Sequence, residues 1–144
     1  TALEIARKNG VDEVLDPRSL DVGARVLEWT KGRGVDAVVD TVGTAETFQT
    51  ALRVLAPGGA AVLMAVHAGE GRFQTTALGG ERRIMTSCNF RTEDFKLALS
   101  FLLAWKLDPL PWITHRVPLA DLPRALRMLE EKEKHRAFKI IVNP

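Results

Sequence analysis

A single cysteine, Cys88, is all the thiol this sequence carries. That excludes an intramolecular disulfide and suits a reducing compartment, so a cytoplasmic protein is expected. No apolar run approaches the roughly 20 residues a membrane span needs. No secretory leader is legible, and the chain opens on Thr1 directly in helical sequence, so the natural start is expected elsewhere. Charge of one sign is also scarce. Lys and Arg number 20 against 18 Asp and Glu, and they are scattered, so no stripe for nucleic acid stands out. "EEKEKHR", Glu130 to Arg136, mixes both signs and reads as a solvated helix end rather than a membrane face. Repeats and low-complexity tracts are absent. What remains is ordinary for a globular chain: 144 residues, 46% hydrophobic and 26% charged, enough to build a core.

Strand and helix signals alternate along it. "TALEIARKNG" reads as a helix ending at Gly10, "VDEVLD" as a short strand stopped by Asp16-Pro17, and Leu20 to Thr30 as a helix. "VDAVVDTV", Val35 to Val42, is nearly all apolar, as in a strand covered on both faces. Thr44 can cap a helix with Ala45, Phe48, Leu52 and Leu55 on one side. Pro57-Gly58-Gly59 turns the chain into a second apolar strand, "AAVLMAV". After a loop from His67 to Gly80, "RIMTSC" is a third. Thr92 can cap a helix striped by Phe95, Ala98, Leu99, Leu102 and Leu103. "LDPLPWITHRVPL" is extended and proline-punctuated. Asp121 can cap a last helix carrying Leu122, Ala125, Leu126 and Leu129, and "FKIIVNP" is a final strand. The alternation implies an α/β fold with a mainly parallel, doubly wound sheet.

"KGRGVDAVVD", Lys31 to Asp40, contains Gly32, Gly34 and Ala37 at the spacing G-x-G-x-x-A, one form of the dinucleotide fingerprint. That fingerprint needs a strand before it and a helix after it, so that the pyrophosphate meets a helix N-terminus. Here the helix comes first, and its negative end faces the loop. Gly32 and Gly34 are therefore read as a helix C-cap and tight turn. No other glycine pair lies at a strand–helix junction.

"GVDEVLD", the run from "GRGVDAVVDTVGTAETFQTALRVLAPGG" to "AAVLMAV", and "KLDPLPWITHRVPLADLPRALRMLEE" with "FKIIVNP" together resemble the C-terminal part of the medium-chain dehydrogenases/reductases. The zinc-dependent alcohol and polyol dehydrogenase branch is the nearest in pattern. The resemblance implies a partial Rossmann-type sheet lacking its first two strands, with residues 1–107 the later part of a dinucleotide-binding domain. Residues 108–144 would be the segment that returns to the catalytic domain in relatives. It also implies NAD or NADP and zinc in the intact enzyme, the zinc held by an N-terminal domain absent from this sequence. The isolated chain is expected to be inactive, with a small alcohol or carbonyl compound as the intact enzyme's substrate. In the strand order usual for such sheets the missing strands separate the third from the fourth. "VDEVLD" then has no native neighbour; it could pair with "VDAVVDTV", pair with another copy, or sit loosely.

The same resemblance carries over candidate cofactor contacts. Thr41, Val42 and Gly43 end one strand at the carboxyl edge, where ligands bind in such sheets; a plain strand-end turn is the alternative. Met64, Ala65 and Val66 end the next, where relatives pack the nicotinamide and its ribose; on sequence alone they are buried strand residues. Ser87, Cys88 and Asn89 end the third, with Cys88 read as a small buried thiol rather than a nucleophile. Lys139 matches a basic position that reaches the pyrophosphate in relatives, or is a surface lysine on an edge strand. No catalytic residue is assigned within the chain. His67, His115 and His135 lack ligand spacing, so no metal site is expected. Asp36 and Asp40, four apart on one strand, lie at its opposite ends, with Asp36 at the strand entrance. Competing readings are a zinc-free quinone reductase, the back half of a nucleotide-type methyltransferase, and a non-enzymatic association unit. The exposed edge from Arg82 to Cys88 predicts a homo-oligomer.

Overall fold

The computed structural model describes residues 2–66, 69–104, 106 and 108–144. Its elements in chain order are α1 (Ala2–Lys8), α2 (Val22–Trp29), β1 (Val35–Asp40), α3 (Ala45–Val54), β2 (Leu55–Leu63), β3 (Arg83–Thr86), α4 (Thr92–Leu103), β4 (Ile113–Pro118), α5 (Leu122–Glu130), α6 (Lys132–His135) and β5 (Lys139–Asn143). They form two contact units, one of Asp16–Asn89 and one of Thr1–Leu15 with Phe90–Pro144. Each unit holds one parallel sheet. The order is β1-β2-β3 in the first and β4-β5 in the second.

In the first unit, α3 starts where Thr44 and Thr47 cap each other. The Thr44 hydroxyl accepts from Thr47 N at 3.1 Å, and Thr47 Oγ1 accepts from Thr44 N at 3.0 Å, satisfying two otherwise orphaned donors. The helix buries Phe48, Ala51, Leu52 and Val54 and passes directly into Leu55. Phe48, Ala51, Leu52, Leu55 and Ala61 form the core, with Val38, Leu63, Leu78 and Ile84 packed against it. Phe73 meets Phe48 edge to face at 5.9 Å.

Several expectations are corrected. Residues 11–16 form no strand. A strand needs a partner ladder to take its amides and carbonyls, and among the described residues none is supplied, so Val11 remains 50% exposed. The strand β1 is covered on one face only: Val38 packs towards α3, whereas Ala37 and Val39 face outwards and are exposed. Pro57-Gly58-Gly59 is not a turn before β2 but a bulge inside it. Val35 pairs with Leu55 and Ala37 with Ala60, so the extra residues loop out while pairing continues. The strands β2 and β3 end at Leu63 and Thr86, earlier than expected.

In the second unit Val117, Ala125, Met128 and Ala137 are buried. Helix α5 therefore turns its Ala125–Met128 side inwards, and Leu126 remains 55% exposed. Asp121 precedes α5 but its side chain makes no cap hydrogen bond, because a tight turn over Leu119–Asp121 runs straight into the helix. The stripe on α4 is not buried either: Phe95 is 54% and Leu103 81% exposed. The start of α4 is held by Asp94, which accepts from Arg91 N at 2.8 Å, rather than by Thr92. Glu130 to Arg136 is a solvated helix end, as its mixed charge implies; Glu131 accepts from Lys134 at 2.7 Å.

Candidate functional site

Because β1, β2 and β3 are parallel, their carboxyl ends lie along one edge of the sheet. Hydrogen bonds continue past the strand ends. Asp40 O accepts from Met64 N at 2.9 Å and from Ala65 N at 3.2 Å, and Leu63 O accepts from Ser87 N at 3.0 Å. Thr41–Gly43, Met64–Val66 and Ser87–Asn89 are thus brought to one edge in a row. Lys139 belongs to the other unit, where it opens β5 and is exposed.

The edge is apolar and open. Val42 is 63%, Met64 53% and Val66 91% exposed. This corrects the reading of Met64 and Val66 as buried strand residues: they lie beyond the last rung of the ladder. Cys88 is likewise exposed rather than buried, because it follows the end of β3 on an outermost strand. Asn89 adopts a left-handed backbone with φ of 61°, which asparagine tolerates better than most residues.

The sequence marks Asp40 only as the far partner of Asp36 on one strand, not as a residue of this edge. Asp40 is 5% exposed, a charged side chain buried at the end of β1. Its Oδ1 accepts from Val42 N at 2.9 Å and Gly43 N at 3.0 Å, and its Oδ2 from the Thr47 hydroxyl at 2.9 Å. The signal in the sequence is an aspartate ending an apolar strand, followed by a turn that closes on glycine, the pattern of an Asx-turn.

The glycine pair sits at the opposite end of β1. Gly32 N donates to Leu27 O at 2.7 Å, and Gly34 N donates to the Thr30 hydroxyl at 3.0 Å. Both bonds close the C-terminus of α2, so the loop is the cap that the order of elements implies. Beside it, Arg33 donates to both oxygens of Asp36, at 2.7 and 3.2 Å. That pairing holds the Asp36 carboxyl below the usual carboxylate range. Asp36 is therefore an entrance residue, distant in role from the carboxyl edge.

Among the described residues no group of three His, Cys, Asp or Glu side chains is placed to hold a metal ion. His115 Nδ1 lies 3.0 Å from Thr114 Oγ1 and His135 Nε2 lies 3.3 Å from Glu131; His67 lies outside the described residues. The edge fits the uncharged part of a dinucleotide, with exposed apolar side chains beside main-chain groups. It does not fit a diphosphate, since the Val42 and Gly43 amides are already taken by Asp40. A cleft of about 570 Å³ is lined by other residues, including Gln49, Arg53, Arg72 and Phe73. Three of its polar side chains are engaged within the protein: Arg53 pairs with Asp21, Arg72 with Glu70, and Gln49 donates to the Arg72 carbonyl. No described helix is long and apolar enough to cross a membrane.

Comparison with known proteins gives a consistent result. Residues 1–104 match the family model described as zinc-binding dehydrogenase. An alcohol dehydrogenase from Cupriavidus necator is 33% identical over 99% of this chain and 40% of its own length. An L-idonate 5-dehydrogenase (NAD(P)+) from Escherichia coli is 25% identical over 97% of this chain and 40% of its own. An alcohol dehydrogenase structure from a Thermus species superposes with a TM-score of 0.87 and 26% identity, over 99% of this chain and 41% of that one. The chain spans about 40% of the length of the curated relatives it matches.

Proposed function

The chain belongs to the zinc-binding dehydrogenase family, and from that premise we propose that it supplies the later half of a nicotinamide dinucleotide groove to an alcohol or polyol dehydrogenase. The carrying observation is the carboxyl edge itself, where three parallel strand ends present Thr41–Gly43, Met64–Val66 and Ser87–Asn89 side by side. Crevices at the carboxyl ends of parallel strands are where such sheets take nucleotides. Val42, Met64 and Val66 give apolar area against a flat ring. By the resemblance, the main chain of Met64–Val66 and Ser87–Asn89 would meet the ribose and the carboxamide.

The cofactor, when bound, accepts or gives hydride at its nicotinamide ring. This chain's own residues bind and orient; none of them is proposed to carry the chemistry. No zinc is assigned to them, because no ligand group gathers among the described residues. In this reading the zinc ligands and the substrate pocket come from the rest of the protein, acting on a small alcohol or carbonyl compound.

The test uses the protein expressed from its full coding sequence. Quenching of its fluorescence by NADH or NADPH, together with oxidation of a panel of alcohols and polyols, is the expected result. Failure to bind either dinucleotide overturns the proposal. Loss of turnover on chelation, restored by zinc, supports the zinc-dependent branch; turnover of quinones that chelators leave intact favours the zinc-free one.

A further inference from the structure

We propose that Asp40 is a positioning residue for this edge: its buried carboxylate shapes the Thr41–Gly43 turn and keeps the diphosphate of the cofactor away from it. The inference rests on the reading of the edge as part of a dinucleotide groove.

A carboxylate that is only 5% exposed is costly unless its lone pairs are filled. Here they are filled by the turn that follows Asp40 and by the first turn of α3. Oδ1 takes Val42 N and Gly43 N, and Oδ2 takes the Thr47 hydroxyl. Thr47 Oγ1 in turn receives Thr44 N, so the same group reaches the first turn of α3. The main-chain oxygen of Asp40 accepts from Met64 N and Ala65 N. Asp40 thus joins two of the three strand ends and the start of the helix behind them.

The chemistry of the turn follows. Successive amides ahead of a helix N-terminus form a nest for anions. At this turn the protein supplies the anion. A phosphate arriving there would find both amides occupied and a like charge beside them. The part of a dinucleotide that the turn accepts is therefore uncharged or cationic. Asp40 acts by placing Thr41–Gly43, without itself touching the reacting atoms.

The experiment compares wild type, D40A, D40N and T47V of the protein expressed from its full coding sequence. Dissociation constants are measured for NADH or NADPH, whichever wild type binds, and for ADP, with circular dichroism as a check of folding. D40A is expected to bind the dinucleotide about tenfold or more weakly, since two amides lose their acceptor. ADP affinity is expected to change by less than about twofold, because the diphosphate half does not rest on this turn. D40N is expected to regain most of the loss. Its amide oxygen still accepts from Val42 and Gly43, and the Thr47 hydroxyl can turn to the Thr44 carbonyl, 3.0 Å away. T47V, which removes one partner, should cost roughly threefold.

Wild-type affinity in D40A overturns the proposal. Equal weakening of ADP and dinucleotide overturns its second half and points to general loss of structure. If D40A does not fold, T47V decides: an unchanged dinucleotide constant overturns the positioning role. A wild-type protein that binds neither dinucleotide removes the groove reading itself, which is a different failure.

Discussion

Gly32 and Gly34 share a spacing and a left-handed backbone, with φ of 79° and 84°, yet they do different work. A side chain added at Gly32 meets nothing within 4 Å. One added at Gly34 would lie 2.5 Å from Val54 O, 2.8 Å from Ala56 N and 2.9 Å from Leu55 C, all main chain at the α3–β2 junction. Gly32→Ala should therefore cost only the left-handed conformation, about 1 kcal/mol. Gly34→Ala adds a clash that backbone cannot relieve by rotation and should cost about 3 kcal/mol or more. Denaturant midpoints of the two variants check this; equal losses would show that Gly34 is not a close-approach residue. The role of the pair as a cap was legible in the sequence, since a helix precedes it and a strand follows. The close approach was not, because Val54–Ala56 comes near only when α3 is laid on the sheet. What Asp40 does at the carboxyl edge was hidden for the same reason. Its acceptor role depends on main-chain amides that converge only once the turn closes.

At the scale of elements, α2 is tied to α3 through Asp21. Its Oδ1 accepts from Ala24 N at 3.0 Å, and the Arg53 guanidinium donates to both of its oxygens at 3.0 and 2.9 Å. The amide bond first and the guanidinium second hold the carboxyl below its usual range. A carboxyl lowered by folding stabilises the fold above its unfolded pKa, about 4, and this contribution is lost as pH falls through the lowered value. Asp21→Ala should lower the denaturant midpoint at neutral pH, and Asp21→Asn by less, because an amide oxygen still caps the helix. The gap between wild type and Asp21→Asn should close as pH drops below about 4. A gap that stays constant to low pH refutes the ionised cap. Asp16, lowered chiefly by its hydrogen bond from Arg18, and Glu131, lowered chiefly by Lys134, fade in the same direction. Acid sensitivity of the whole chain therefore persists in the variant. Elements with local signals were legible: α3 from Thr44 and its apolar spacing, β5 from "KIIVN". "VDEVLD" was misread because strand propensity does not supply a partner strand. On α4 the stripe is present, but apart from Phe90 stacked on Phe95 at 6.3 Å it stays largely exposed, with Leu103 at 81%.

For the molecule as a whole, unpaired sheet edges and exposed apolar surface decide behaviour. In the three-stranded sheet β1 and β3 are both outermost among the described residues, and an outermost strand leaves one row of main-chain groups without a ladder partner. Val39 at 56% and Met85 at 47% exposure put apolar side chains on these same strands. The strand β3 was expected from sequence to be an exposed edge. A partial sheet is what the resemblance implies, and the chain spans about 40% of the length of the curated relatives it matches. We expect the 144-residue polypeptide by itself to show no dehydrogenase turnover and to self-associate. Light scattering should give a mass that rises with concentration above the 15.9 kDa of one chain. A charge on a strand blunts edge pairing, so Val39→Lys should lower the associated mass if β1 is the sticky edge. Met85→Lys should do so if β3 is. A mass fixed at that of one chain at all concentrations would show that both edges are already protected, and the association unit would be excluded as a reading of this chain.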